Sequence, residues 1–450
     1  MKENVSTDYR DSPIINVKPE PSIFDSVIEI SITNLPAHAY VVLSASLKDE
    51  KGNPWFSSEA VFEANEKGIV NLATDPSISG FYTGVDPMGL FWSMRPVDTS
   101  QAHDAQRGNE EEVYLTASVN HKIVANKKIH RYIASPELES IEINEHGFIG
   151  FMCYPKNAHN LPGIITFSGS GGGMSRDMAR LLAAHGYTVL ALAYFGMAGL
   201  PKSLDNIHLE YFQNAIHWFK VQSQVNGKKI ALRGASYGGE LVLLLAATFP
   251  DDIHAVVAIS PPSKIFGGFP YSNKPMWIYK NEPIMPFIGG LTGDQESLTE
   301  AEDLLNATKK NLIPFHEGTW SDPYEITPLF VARMEKYLDI SESTAIPVEN
   351  IRGPLLVISC GDDKVHPAKL HGQLIMDRLD KYNSTIERKH IHFPSAGHSL
   401  GTPYEPKIDL PWLLAEGDYW CWSGGSIHGN YTAAKEGWQE TLNFLEKTLK

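Results

Sequence analysis

Between about Pro13 and His130, apolar and polar residues alternate in short stretches such as "SVIEISITNL", "HAYVVLSASL" and "EVYLTASV", separated by turn-rich pieces like "DEKGNPW" and "NEKG". A period of two over short runs punctuated by Gly, Pro, Asn and Asp predicts half-buried strands, and several at this spacing predict an all-β sandwich of the immunoglobulin-like kind. After the polar stretch "ASPELESIEINEHG" the pattern changes, and the boundary is placed there, giving domains 1–137 and 138–450. The runs "PGIITFSGS", "YTVLALAYF", "KKIALRGAS", "HAVVAIS" and "GPLLVISCGDD" are apolar throughout, and they alternate with the helical patterns "MSRDMARLLAAHG", "HLEYFQNAIHWFKVQSQ" and "GELVLLLAATFP". Continuously apolar strands are buried on both faces, so this half predicts a mostly parallel sheet flanked by helices, the α/β class. From about 262 to 350 the alternation stops in a stretch rich in aromatics, Pro and Gly. A connection this long carries function or elements of its own, and it is expected to be a cap over the site.

Composition narrows the function classes. The chain has 450 residues, 42% hydrophobic and 20% charged, which fits a globular protein with room for two cores. Its formal charge of −15 argues against nucleic acid or an anionic membrane surface as the main partner, because both reward clustered Lys and Arg. The N-terminal "MKENVSTDYRDSP" lacks the apolar core of a secretory signal and no stretch reads as a membrane span, so the expected location is cytoplasmic. Cys153, Cys360 and Cys421 have no paired spacing, which fits a reducing compartment, and no cluster of His, Cys, Asp and Glu suggests a metal.

The candidate chemistry starts at "IALRGASYGGELVLLLAATFP", where Ser236 stands between Gly234 and Gly238 at the seam of a strand and a helix. By chance roughly 0.15 G-x-S-x-G pentapeptides occur in a chain this long, so the pentapeptide alone decides little. The order strand, elbow, apolar helix is what gives it weight. A serine hydroxyl becomes a nucleophile only when a base takes its proton and donors wait for the oxyanion. The elbow exposes Ser236 at the strand's end and sets the Tyr237 N–H at the start of a helix, where the dipole favours negative charge. The second oxyanion donor is expected in the glycine loop "FSGSGGGMSRD", from the Ser170 or the Gly171 amide; this loop lacks the Lys-Ser/Thr ending of a nucleotide-binding loop.

In an elbow hydrolase the acid and then the base follow the serine along the chain. "GPLLVIS" ends in "CGDDKVHP", with Asp362 and Asp363, and "ERKHIHFPSAGHSLG" ends in a small-residue loop carrying His398. Adjacent residues at a strand end point to opposite sides, so one carboxylate orients His398 and the other caps or supports; Asp363 is preferred for the first role, and Asp362 remains open. His390 and His392 fall in a strand and read as structural. His366 and His371 follow the acid and read as solvated or substrate-lining. Glu240, in the first turns of the elbow helix, reads as a carboxylate complementing the helix dipole.

With these residues in place, the chain resembles the type I acyl-CoA thioesterases and the bile acid-CoA:amino acid N-acyltransferases over nearly its whole length. The resemblance rests on "LKDEKGNPW" and "YTGVDPMGLFWSMRP" in the first half, and on "PGIITFSGSGGGM", "ALAYFGMAGLPKSLDNIHLEYFQNAIHWF", "GASYGGEL", "GDDKVHP" and "SAGHSLGTPYEP" in the second. It implies an α/β-hydrolase fold behind an N-terminal β-sandwich, with Ser236 as nucleophile, Asp363 as acid and His398 as base. It also implies a small-molecule acyl thioester as substrate and no cofactor. Serine at the elbow is the thioesterase choice where the conjugating relatives typically carry Cys. The family's "DDxxW" is here "DDKVHP", without the Trp. The expected reaction is hydrolysis of acyl-CoA through an acyl-enzyme. The alternatives are a carboxylesterase or amidase with the same triad and acyl transfer to an amine. A non-catalytic binding protein on this fold would be expected to have lost one of Ser236, Asp363 and His398.

Overall fold

The computed structural model describes the chain from residue 12 onward except residues 50–51, 99–109, 134, 269–273, 286–317, 337–341, 399, 408–410 and 414–419. It divides into two units, Met1–Ser135 with Gly401–Ile408, and Pro136–Leu400 with Asp409–Lys450.

In the first unit the alternation read in the sequence is the pattern of burial. Along Tyr40–Lys48 every second side chain, Val41, Leu43, Ala45 and Leu47, is buried. The antiparallel neighbours Pro54–Glu63 and Glu110–Val119 set Ala60 and Ala117 opposite Leu43, so one pleated face leaves water together while the other stays partly wet. These strands belong to a seven-stranded sheet; Ile14–Lys18, Glu29–Thr33 and Val70–Asn71 make a second of three. A charged side chain, Arg131, lies within this unit at 1% exposure. It is kept there by Glu111 at 3.0 Å, by the Phe24 and Tyr404 carbonyls at 2.6 and 3.2 Å, and by the rings of Phe24 and Phe91. A buried guanidinium is tolerable only when paired in this way.

The second unit is built on eight strands: β1 (Leu138–Ile143), β2 (Ile149–Pro155), β3 (Leu161–Phe167), β4 (Thr188–Ala193), β5 (Val225–Ala235), β6 (Ala255–Ile259), β7 (Leu355–Cys360) and β8 (Arg388–Phe393). Their order is β1-β2-β4-β3-β5-β6-β7-β8. All neighbours from β4 to β8 are parallel, and β1 and β2 are antiparallel additions. Every residue of β4, β6 and β7 is buried, which requires cover on both faces.

That cover comes from helices. They are α1 (Arg176–Ala184), α2 (Leu209–Lys220), α3 (Tyr237–Thr248), α4 (Thr327–Lys336), α5 (Ala368–Lys381) and α6 (Ile427–Leu449). Helix α3 is apolar around its whole circumference and buried from Gly238 to Ala247, as a helix in the middle of a unit must be. This is the mostly parallel, helix-flanked sheet expected of an α/β hydrolase. The stretch containing β1 was not expected to be a strand. It is an edge strand with Glu139, Ser140, Ile141 and Glu142 exposed, so its polar composition hid it.

Of the cap expected at about 262–350, residues 269–273, 286–317 and 337–341 lie outside the described residues. The described part includes Trp277–Tyr279 and Glu282–Pro283, which form a small sheet with Ile207–His208, and helix α4. Among the described residues no helix is long and apolar enough to cross a membrane.

Candidate active site

The loops that follow β3, β5, β7 and β8 all leave the carboxyl edge of the sheet, where open parallel sheets bind their ligands. Ser236 sits between β5 and α3 with φ 56° and ψ −127°, a left-handed backbone rare for a residue with a side chain. The strain is held from both sides. The Ser236 N–H donates to the Ile259 carbonyl at 2.9 Å, while its own carbonyl accepts from Gly239 and Glu240 at 2.8 and 3.1 Å. The two flanking glycines are needed for close approach. A Cβ on Gly234 would lie 2.0 Å from the Gly238 carbonyl oxygen, and one on Gly238 would lie 2.5 Å from that of Ser168. Ser236 is the N-cap residue of α3, yet its side chain makes no capping hydrogen bond, so the hydroxyl is not committed to structure.

The glycine loop after β3 lies against this serine. A Cβ on Gly169 would come within 3.1 Å of Ser236 Cβ. Ser170 and Gly171 are the middle of a turn closed by the Gly172 N–H donating to the Gly169 carbonyl at 3.2 Å. Tyr237 opens α3, so its amide belongs to the first turn. A brace unforeseen in the sequence is Tyr194, a fully buried phenol that donates to the Ser168 carbonyl at 2.7 Å; burial holds it protonated.

His398 and Asp363 are brought together: His398 Nδ1 donates to Asp363 Oδ2 at 2.8 Å. Asp363 is 5% exposed, and its other oxygen accepts the N–H groups of Val365 and His366 at 2.9 and 3.1 Å. Burial alone would raise this carboxyl. The electrostatic effect of the neighbouring His398 and His366 rings and the hydrogen bonds from His398 and the His366 N–H outweigh burial and hold the carboxyl below its ordinary value. Asp362 turns the other way, accepting from the Gly425 N–H at 3.0 Å and pairing with Lys364 at 3.1 Å. Of the two carboxylates, Asp363 therefore faces the histidine. Among the described residues no hydrogen bond joins the Ser236 hydroxyl to His398.

The histidine loop has supports that sequence patterns did not reveal. The His398 N–H donates to the Ser423 carbonyl at 2.7 Å. Asn430, 7% exposed in the first turn of α6, accepts from the Gly397 N–H at 2.8 Å and donates to the Gly424 carbonyl at 3.2 Å. Nothing but the tertiary fold brings residue 430 to residue 397.

Three expectations are corrected. His366 and His371, expected to be solvated or substrate-lining, are buried at 4% and 0% exposure. Burial pushes His366 down to about 4 and His371 well below its usual value, so both are neutral. The absence of any metal-like cluster does not hold either: Asp363, His366 and His398 each place one ligand atom within 4.8 Å of the others. His390 and His392 do lie in a strand, β8, where both rings meet the Ser359 hydroxyl at 2.7 and 3.1 Å.

Glu240 is the third. It is not an exposed dipole carboxylate but fully buried, with one oxygen accepting the Trp277 indole N–H at 2.8 Å. Burial pushes it up to about 8 against the opposing hydrogen bonds from Trp277 and the Phe266 backbone, so it is protonated at neutral pH. The folded chain thus keeps a proton that the unfolded chain releases near the ordinary carboxylate value. Its stabilising effect is complete in acid and is lost as pH rises toward about 8. Glu240→Gln keeps an acceptor for Trp277 and has no proton to lose. The melting temperature of wild type relative to this variant should therefore fall from pH 5 to about pH 8 and then level off, and parallel melting curves would refute the buried neutral acid.

Comparison with known proteins places this geometry in a family. The sequence model described as "BAAT / Acyl-CoA thioester hydrolase C terminal" matches residues 207–450, more than half of the chain, and "Acyl-CoA thioester hydrolase/BAAT N-terminal region" matches residues 25–145. Acyl-coenzyme A amino acid N-acyltransferase 2 of Mus musculus is 28% identical over 446 residues, covering 96% of each chain. Acyl-coenzyme A thioesterase 6 of the same species is 27% identical, covering 95% of this chain and 94% of its own. Among solved structures, the alpha/beta hydrolase GrgF from Penicillium sp. sh18 is a distant likeness, 16% identical with a TM-score of 0.40 over 69% of this chain and 99% of that one. An elbow serine on a helix-flanked sheet, a hydrogen-bonded His–Asp pair on the loops after its last two strands and these matches over both halves lead to one conclusion: the chain belongs to the acyl-CoA thioester hydrolase and bile acid-CoA:amino acid N-acyltransferase family.

Proposed function

We propose that this protein hydrolyses acyl-CoA thioesters to the free acid and CoA, with Ser236 as nucleophile, His398 as general base and Asp363 as the group that orients it. The observation that carries the reading is the uncommitted hydroxyl of Ser236, held in a strained elbow beside the glycine loop. Asp363 accepts the hydrogen bond of the His398 Nδ1–H, which leaves the lone pair on Nε2 to accept the serine proton. The serine oxygen then adds to the thioester carbonyl. The resulting oxyanion rests on the Tyr237 amide and on the Ser170 or Gly171 amide, and collapse of the adduct expels the CoA thiolate, protonated by His398. A water activated by the same imidazole releases the acid.

The relatives named for amino acid N-acyltransfer support a second reading, in which an amine replaces that water. One experiment separates the readings: thiol release from acyl-CoAs of graded length, beside p-nitrophenyl esters of the same acyl groups, with and without glycine or taurine. The thioesterase reading expects kcat/KM to favour the CoA esters and free acid to remain the product when amine is present. An N-acyl amino acid as main product sinks hydrolysis in favour of transfer, and cleavage of oxygen esters alone sinks the CoA assignment.

A further inference from the structure

The site contains a histidine that the reaction does not use. His366 Nε2 lies 2.8 Å from the Ser260 carbonyl. A carbonyl can only accept, so Nε2 carries the ring proton and Nδ1 carries a lone pair. That Nδ1 is buried and has no hydrogen-bond partner, an unusual state for a polar atom in a residue 4% exposed. The ring lies against His398, with centres 5.0 Å apart, and one ligand atom from each of Asp363, His366 and His398 falls within 4.8 Å of the others.

We propose that Asp363, His366 and His398 form a zinc site, and that Zn2+ bound there switches the enzyme off. Two neutral imidazoles and one carboxylate are the donors zinc prefers, in the number that leaves a fourth position for water. His366 already has the tautomer and the outer hydrogen bond of a metal ligand, its far N–H fixed on a backbone carbonyl. Zinc bonds of about 2.0–2.2 Å bring ligand atoms to roughly 3.3 Å of one another, a closure that side-chain adjustment can supply. His371 cannot serve as a ligand in its present tautomer. Its Nδ1 accepts from the Ser263 N–H at 3.1 Å, so its Nε2 is a donor.

The inhibition follows from whichever nitrogen of His398 the ion takes. At Nε2 the metal occupies the lone pair that accepts the serine proton. At Nδ1 it displaces the proton shared with Asp363, which moves through solvent to Nε2; no net proton is released, and the base again loses its lone pair. The inhibition rests on His398 being the base, whereas the binding does not.

The test uses the full-length protein freed of metal, with Zn2+ binding followed by calorimetry in wild type, Ser236→Ala, His366→Phe and His366→Gln, and Co2+ binding followed by absorption in wild type. Expected are one Zn2+ per chain in wild type and in Ser236→Ala, binding at least about tenfold weaker in both His366 variants, and visible bands of a four-coordinate Co2+. Acyl-CoA hydrolysis by wild type should fall with the midpoint of binding and return with EDTA. Equal Zn2+ affinity in a folded His366 variant overturns the site. So does a wild type that binds neither ion, as it would if the His371 Nε2–H closed onto His366 Nδ1. The Co2+ spectrum needs no variant and decides the matter if both His366 variants misfold. Zinc held through His366 with activity undiminished overturns the switch and, with it, His398 as base. Absence of any acyl-CoA hydrolysis would sink the proposed function alone, since calorimetry still reads the site.

Discussion

Ser236→Ala is expected to lower kcat on acyl-CoA by a factor on the order of 10^4 to 10^6, while substrate affinity stays within about threefold. The reason is the division of labour in the elbow. The backbone of residue 236 carries the structural hydrogen bonds, to Ile259, Gly239 and Glu240, and the side chain carries none. Removing the hydroxyl therefore takes away the attacking atom and leaves the turn intact, so the melting temperature should move by no more than about 2 °C. A structural serine would give the reverse pattern, a less stable protein that remains active.

Ser236→Gly sharpens the test. Glycine adopts φ 56° without the cost a side chain imposes, of order 1 kcal/mol or more, so the variant should be inactive and more stable than wild type. Loss of activity together with gain of stability identifies strain retained for function. Steady-state kinetics and thermal melts on the two variants supply all the required readings. An active Ser236→Ala protein would end the nucleophile assignment.

The parts of this site that were legible in the sequence are those whose chemistry is local. The elbow needs glycines two residues either side of the serine because the two backbones nearly touch, and that requirement is written in a pentapeptide. Asp363 and His398 stand in the loops after strands, and strands buried on both faces announce themselves as continuous apolar runs. Other features depended on which elements meet. Glu240 reads in sequence as an ordinary first-turn carboxylate, and only its placement against Trp277 makes it a buried neutral acid. His366 and His371 carry no sequence mark of burial, since polar residues after a strand usually face water. Asn430 and Tyr194 act on loops 33 and 26 residues away in the chain, a relation that periodicity cannot express. The strand β1 was hidden for the opposite reason: an edge position lets it stay polar.

The sharpest expectation at the acid is asymmetric. Asp363→Asn should lose on the order of 10^4 in kcat with KM little changed, whereas Asp362→Asn should stay within about tenfold of wild type. The asymmetry comes from the donors already aimed at Asp363. Two backbone N–H groups, of Val365 and His366, point at one of its oxygens, so an asparagine must place its carbonyl there. Its amide nitrogen then takes the other position, 2.8 Å from His398 Nδ1 in the wild type. A donor facing Nδ1 forces that nitrogen to accept, which moves the ring proton to Nε2 and leaves no lone pair for the serine. The imidazole stays in place and in the wrong tautomer, so substrate binding survives while proton transfer fails. At Asp362 the Gly425 N–H sits on one oxygen and the Lys364 ammonium on the other, and neither touches His398; an asparagine keeps its carbonyl on the Gly425 N–H, while Lys364 keeps its pair with Glu325. Rates for the two variants at saturating acyl-CoA decide the point. A dead Asp362→Asn beside an active Asp363→Asn would transfer the orienting role to the neighbouring carboxylate and break the link between the 2.8 Å hydrogen bond and catalysis.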